Sequence, residues 1–332
     1  MSAKPILAAL ALTVAACSAI TGPVDAGPAA VLPGPQANAH YTPAALAAAC
    51  QGKDGWADPA PPAHIYGNTW YVGTCGITAL LVTGPQGHVL VDAGVPEAAP
   101  LVAANVEKLG FALRDVRWIV GGHEHFDHAG GIGEMQRLTG ARVAGIAPWA
   151  KVMATGLPDD SDPQYDDLVK HPMERVKTDR ILASGAKIAL GGTLLTATAT
   201  PAHSPGSTSW TWKTCEGQEC RTITYADSIS TISSENYWFS LHQDRVAAVR
   251  VGLDRVAKLD CGILLTPHPS ASDLFARMSA GLAPAPTACA AYAQAASQRF
   301  AERLAKDEKL KAATQQTIFE AIGAAEKAKK NR

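Results

Sequence analysis

The stretch Gly121-Gly122-His123-Glu124-His125-Phe126-Asp127-His128-Ala129-Gly130-Gly131 decides the reading of this chain. Between His123 and His128 it places three histidines and an aspartate, in the order His-x-His-x-Asp-His. His123 and His125 are two residues apart, so on extended backbone both imidazoles point to one side. Asp127 and His128 then turn the corner, and Ala129-Gly130-Gly131 permits a tight bend into a helix. Two adjacent ligand sets result, one of histidines and one of aspartate with histidine. Imidazole with carboxylate suits zinc, and two such sets suit two neighbouring divalent ions. A polar surface loop is the competing reading, and this spacing argues against it.

Around that stretch the hydrophobic pattern is regular. Residues 116–120 are a short β-branched run that delivers the chain into the loop, as a buried strand does. Ile132, Met135 and Leu138 follow at helical spacing up to Gly140. Upstream, residues 65–72, 77–82 and 88–91 are short β runs divided by glycine turns, which predicts an antiparallel meander. Residues 96–109 form a helix with Pro96 in its first turn and Gly110 past its end. Downstream, strands are expected over 141–145, 180–182, 187–190 and 193–200. A hairpin follows over 209–213 and 221–225, then a helix over 247–259 and a buried strand over 262–266. From Thr287 the chain is rich in Ala, Lys and Glu, hence helical, with residues 327–332 frayed. β and α elements thus recur in similar order twice. One domain of two mixed sheets flanked by helices, an α/β sandwich, fits better than a doubly wound parallel sheet. No Gly-x-Gly-x-x-Gly stands at a strand end, which counts against a dinucleotide.

Composition sets the outer limits. The 332 residues are 47% hydrophobic with a net charge of −1, an ordinary globular balance without the basic excess of a nucleic-acid surface. Lys4 precedes an apolar run over 5–16 that is too short to span a bilayer, so residues 1–26 read as a signal peptide. Val14-Ala15-Ala16-Cys17 also resembles a bacterial lipoprotein cleavage box, which would lipidate Cys17 and tether the chain to a membrane. The expected layout is then an N-terminal arm over 27–60, a metallo-hydrolase domain over 61–312 and a C-terminal helical tail over 313–332. Export places the remaining cysteines, Cys50, Cys75, Cys215, Cys220, Cys261 and Cys289, in an oxidising periplasm. Six cysteines allow fifteen pairings. Joining sequence neighbours is the simplest: Cys50 with Cys75, Cys215 with Cys220 across a turn, and Cys261 with Cys289.

Two metal ions need more ligands than one loop supplies. Among the other histidines, His203 in Pro201-Ala202-His203-Ser204-Pro205-Gly206 and His268 in Thr266-Pro267-His268-Pro269 stand out, because Pro and Gly fix the backbone around them. Either alone reads as a structural histidine; beside the His-x-His-x-Asp-His loop each becomes the missing third ligand.

His123, His125, Asp127, His128, His203, His268 and the turn Val91-Asp92-Ala93-Gly94 resemble the metallo-β-lactamase superfamily over roughly residues 64–290. The resemblance implies an αβ/βα sandwich with the metal site at the open edge between the sheets. His128 together with Tyr225-Ala226-Asp227-Ser228-Ile229-Ser230 is similar to subclass B3, and the cysteine positions resemble a group within it that carries three disulfides. By that resemblance His123, His125 and His203 bind one zinc, and Asp127, His128 and His268 bind the second. Asp92 supports the ligands from behind, with a turn cap as the alternative. Glu124 and Gly122 fill positions expected to vary.

The implied activity is hydrolysis of the β-lactam amide of penicillins, cephalosporins and carbapenems by a metal-bound hydroxide, conferring antibiotic resistance. Asp127 orients the nucleophile, and Ser228 and Ser230 meet the substrate carboxylate or cap a turn. Trp149, Met153 and Leu157 line an apolar wall or pack in the core. The expected partner is a small molecule met by a monomer, with no nucleic acid. The alternatives are a thioester, lactone or phosphodiester hydrolase on the same scaffold, in which an aspartate near Asp227 bridges the metals, and a zinc-storing protein.

Overall fold

Hydrophobic strands with both faces covered build the centre of the molecule. The structure, a computed structural model, describes residues 41–330. The expected signal peptide, Cys17 and the start of the arm lie outside the described residues. Seven strands form one sheet in chain order: β1 (Ala63–Tyr66), β2 (Thr69–Tyr71), β3 (Leu80–Val82), β4 (His88–Val91), β5 (Val116–Val120), β6 (Arg142–Ile146) and β7 (Arg180–Leu182). The first four pair antiparallel and the rest parallel. The second sheet holds β8 (Lys187–Leu190), β9 (Thr193–Ala199), β10 (Thr208–Glu216), β11 (Glu219–Tyr225) and β12 (Ile263–Leu265), in the order β12-β11-β10-β9-β8. Only β11 and β12 are parallel there. Two mixed sheets flanked by helices make the αβ/βα sandwich.

β4 is buried at every position, because the second sheet covers one face and helices the other. Those helices are α2 (Ala99–Lys108), α3 (Phe126–Ala129), α4 (Ile132–Thr139) and α5 (Ala147–Thr155), whereas α6 (Tyr165–Leu168) buries no side chain. α7 (Gln243–Ala257) and α9 (Ala288–Lys330) share a separate core with Ala226 and Leu264 behind the second sheet. Trp210 and Trp212 stitch the sheets together: their indole N–H groups donate to Gly121 O and Thr69 Oγ1, both at 2.9 Å. Trp210 is fully buried, and truncating it to alanine would cost about 3–5 kcal/mol.

Three features depart from the sequence expectations. The run over 65–72 is not one strand. The chain reverses at Gly67-Asn68, where Thr214 Oγ1 accepts from Asn68 N at 2.9 Å, so β1 and β2 pair as a hairpin. The segment expected as an arm contains α1 (Pro43–Ala49), begun by a Thr42 cap, whose Leu46 is wholly buried. α1 packs against α8 (Leu274–Ser279), a helix too short to show a clear period. α9 runs unbroken through the expected boundary at residue 312. Its early turns bury Ala293, Ala296 and Phe300 against α7.

Disulfides join Cys50 to Cys75, Cys215 to Cys220 and Cys261 to Cys289, with Cα separations of 5.3, 4.0 and 5.8 Å. The first ties the end of α1 to the approach to β3, and the last ties α9 to the approach to β12. No helix among the described residues is long and apolar enough to cross a membrane.

Candidate metal centre

The ends of β4, β5, β9, β11 and β12 meet at one edge of the sandwich, and each delivers part of the site. β5 ends in the loop carrying His123 and His125. His125 caps α3, whose first turn holds Asp127 and His128. His203 lies in the turn from β9 to β10, Asp227 follows β11, and His268 follows β12. The backbone at His268 is pinned, since Pro267 O accepts from Thr78 N at 2.7 Å and His268 O accepts from Thr266 Oγ1 at 2.8 Å.

All six side chains singled out as ligands converge, in two triplets. In the first, His203 Nε2 lies 3.1 Å from His125 Nδ1. His123, His125 and His203 bring one ring nitrogen each within 4.8 Å of the others, all in buried positions. In the second, Asp127 Oδ2 stands 3.2 Å from His128 Nε2 and 3.1 Å from His268 Nε2, and the two histidine nitrogens are 3.3 Å apart.

Hydrogen bonds behind the first triplet decide which nitrogens face inward. His123 Nδ1 donates to Asp227 Oδ1 at 2.9 Å, His125 Nε2 to Asp162 Oδ2 at 2.9 Å, and His203 Nδ1 to Ser230 O at 2.8 Å. In the neutral ring the opposite nitrogen then carries a lone pair, and all three lone pairs point into the pocket. His123 Nε2 is buried with no hydrogen-bond partner at all. His203 Nε2 and His125 Nδ1, 3.1 Å apart, can share either a proton or a cation, and metal binding displaces the proton. Nitrogens at about 2.0–2.1 Å from a tetrahedral zinc stand roughly 3.3 Å apart, so the donor set fits that ion.

Charge in the site follows the same logic. Burial pushes His123 and His203 well below the usual imidazole range, which leaves them neutral and ready to coordinate. The contact between His123 and Asp227 is therefore a hydrogen bond from a neutral ring, despite its ion-pair distance. Burial pulls His125 the same way, but the Asp162 carboxylate outweighs it and pushes this imidazole up to about 9. Burial would raise Asp127 too; His128 and His268 instead hold its carboxyl well below the usual range, so it is ionised. Burial pushes Asp227 up to about 6, Glu124 to about 7, and Asp92 well above the carboxylate range.

Asp92 is both a turn residue and a support. Its backbone takes a left-handed φ of 59°, its carboxylate accepts from Gly122 N at 2.6 Å and from the Tyr225 hydroxyl, and its Oδ2 is 3.8 Å from His128 Nδ1. Gly122 does not stand where a side chain fits. A Cβ there would meet Asp227 Oδ1 at 2.8 Å and Asp92 Oδ2 at 3.0 Å, so a side chain at this position would displace one of these carboxylates. Glu124, also expected to vary, is 3% exposed and bonded on both oxygens.

Other expectations divide. Ser230 turns toward His203, with its carbonyl and its hydroxyl, at 3.0 Å, both near Nδ1. Ser228 is 7% exposed, and none of the hydrogen bonds of the site uses its hydroxyl. Trp149 and Met153 are core residues, whereas Leu157 is on the surface. Three residues at the site carried no signal. Asp162 stood among other aspartates of a polar loop. Gln164, whose Nε2 is 3.4 Å from His203 Nε2, looked like an ordinary loop residue. Trp56 lay in the supposed arm, yet it is half exposed with its ring 6.4 Å from that of His268.

Comparison with known proteins places the chain in a family. The sequence family "Metallo-beta-lactamase superfamily" matches residues 72–215. A metallo-β-lactamase called MIM-1 from Novosphingobium pentaromativorans shares 54% identity. It aligns over 80% of this chain and 98% of its own, with a TM-score of 0.77. MEM-A1, a subclass B3 metallo-β-lactamase isolated from a soil metagenome library, shares 40% identity over 77% of this chain and 99% of its own, with a TM-score of 0.73. A hydroxyacylglutathione hydrolase of Anaeromyxobacter dehalogenans is 30% identical over 224 residues, 68% of this chain and 72% of that protein. The chain belongs to the metallo-β-lactamase superfamily. Within it, the similar solved structures include B3 metallo-β-lactamases.

Proposed function

We propose that this chain is an exported, monomeric β-lactamase of the B3 kind that holds two zinc ions. Its substrates are penicillins, cephalosporins and carbapenems, and its action confers resistance to them. The observation that carries the reading is the pair of three-ligand clusters sharing one pocket. Each supplies three protein ligands, one fewer than the four that close a structural zinc site. That feature also argues against zinc storage.

His123, His125 and His203 would hold one zinc, and Asp127, His128 and His268 the other. Zinc bound there lowers the pKa of a coordinated water from about 15.7 towards 7 and polarises a carbonyl oxygen. The residues supply orientation. Asp127, ionised beside two histidines, accepts a hydrogen bond from the attacking water through the oxygen that the histidines leave free. Ser228, with its hydroxyl uncommitted, donates to the substrate carboxylate; Ser230 contributes chiefly by fixing His203. Trp56 offers an apolar face beside His268, against which a substrate ring can pack.

The hydroxyacylglutathione hydrolase relative keeps a thioester hydrolase as the second reading. An aspartate bridging two metals would favour it. Asp227 instead lies on the Nδ1 side of His123, behind the ring whose Nε2 faces the pocket, which favours the lactamase. Purified protein should be assayed against a penicillin, a cephalosporin, a carbapenem, a thioester and a lactone. Turnover of the β-lactams that disappears on chelation and returns with zinc supports the proposal. Thioester turnover well above that of every β-lactam defeats it.

A further inference from the structure

Glu124 sits between two metal-ligand candidates, but its side chain points away from them. Backbone alternation sends His123 and His125 into the pocket and Glu124 to the opposite side. There one carboxylate oxygen accepts from Ser204 Oγ at 2.7 Å and the other from Gly206 N at 2.8 Å. Both donors belong to the turn that follows His203. Ser207 Oγ in turn lies 3.1 Å from both the Ser204 hydroxyl and the Ser204 backbone N–H, so the turn is braced around the carboxylate. A Cβ on Gly206 would stand 2.4 Å from Glu124 Oε2, so the turn approaches as closely as it does only because residue 206 is glycine. Just before His203, Arg245 of α7 donates to the carbonyls of Pro201 at 2.7 Å and Ala202 at 2.9 Å. His203 is thus held on both flanks, and the later flank is held by the other ligand loop.

We propose that Glu124 is a positioning residue whose buried carboxylate latches the two metal-ligand loops together and sets where His203 stands relative to His123 and His125. Three histidines from two separate loops can meet one ion only if the loops keep a fixed spacing. Glu124 links them directly, through two hydrogen bonds in a site closed to water. Partners of this kind behind metal ligands affect metal affinity although they never touch the ion. This inference rests on the metal site proposed above and concerns that site's geometry.

The test is zinc affinity, read on metal-stripped, full-length protein by competition with a chromophoric chelator, with circular dichroism to confirm the fold. Glu124→Ala should weaken one of the two zinc-binding steps roughly 10- to 100-fold and leave the other unchanged. Glu124→Gln should restore most of that loss, because the amide oxygen can still accept from Gly206 N while its NH2 group donates to Ser204 Oγ. Ser204→Ala, which removes one arm, should weaken the same step about fivefold. A folded Glu124→Ala protein with wild-type affinity at both steps overturns the proposal. Should that variant not fold, unchanged affinity in Ser204→Ala overturns it. Wild-type protein that binds no zinc would instead defeat the metal reading itself, so the two failures are distinct.

Discussion

The two ligand triplets share one pocket but are built to different standards. Each histidine of the first has its back nitrogen bonded: His123 to Asp227, His125 to Asp162, His203 to Ser230. In the second, His128 Nδ1 has no hydrogen-bond partner and its nearest carboxylate, Asp92, is 3.8 Å away. The His268 side chain is 32% exposed, and no back-nitrogen bond holds it among the described residues. A ring held from behind keeps its inward nitrogen aimed before any metal arrives, so less ordering opposes binding. The difference implies that the first triplet binds metal more tightly and the second exchanges it more readily.

Removing a ligand tests that contrast most severely. His203→Ala and His268→Ala should each lower β-lactam turnover by on the order of 10³-fold, by disabling one of the two ions. Their metal contents should differ in kind. His268→Ala should retain one tightly bound zinc, whereas His203→Ala should keep only a weakly held one, as elemental analysis after dialysis would reveal. The reverse pattern breaks the comparison.

Loosening a support should have a smaller effect. Asp162→Asn leaves an acceptor for His125 but removes its charge, and should weaken the first site about tenfold. Asp92→Asn, measured by the same chelator competition, should disturb that site less. Equal losses at both sites from either variant would show that the triplets are not separately supported.

Smaller again is the effect of a group that faces substrate. Ser228→Ala should leave zinc content untouched and raise the Michaelis constant by roughly 1–3 kcal/mol of binding. Loss of zinc from this variant would place the serine among the metal supports. Least of all should the site feel the Cys215–Cys220 bridge at the far end of its hairpin. Cys215→Ser with Cys220→Ser should lower stability by about 2 kcal/mol and change neither zinc content nor turnover. Non-reducing peptide mapping that finds a crossed pairing, or free thiols in the parent protein, removes the basis of that expectation.

Ligands were more legible in the sequence than their supports, and the reason is local. Four of the six candidates lie in one short segment with a spacing that few other purposes require. Proline and glycine marked His203 and His268. Asp162, Gln164 and Trp56 gave no such sign, because each acts across the fold from a loop whose composition is ordinary. Glu124 and Gly122 gave no sign of their contacts for the opposite reason. Inside a motif they look like spacers, and only the approach of residues 204–206, Asp92 and Asp227 shows what they touch. The sandwich followed from recurring short strands with polar ends. The hairpin at Gly67 and helix α1 did not, since a continuous apolar run hides a turn and an alanine-rich segment resembles a linker. Leu46, one leucine among alanines, is what anchors that helix.

The central claim is that two zinc ions, both needed, carry out β-lactam hydrolysis in this pocket. Its most direct test adds zinc stepwise to metal-stripped protein while bound metal and carbapenem turnover are measured on the same sample. The account predicts two zinc ions per chain, filled in order, with turnover reaching its plateau only as the second site fills. Full turnover in the stripped protein, or none at any zinc loading while a thioester is hydrolysed, would contradict it.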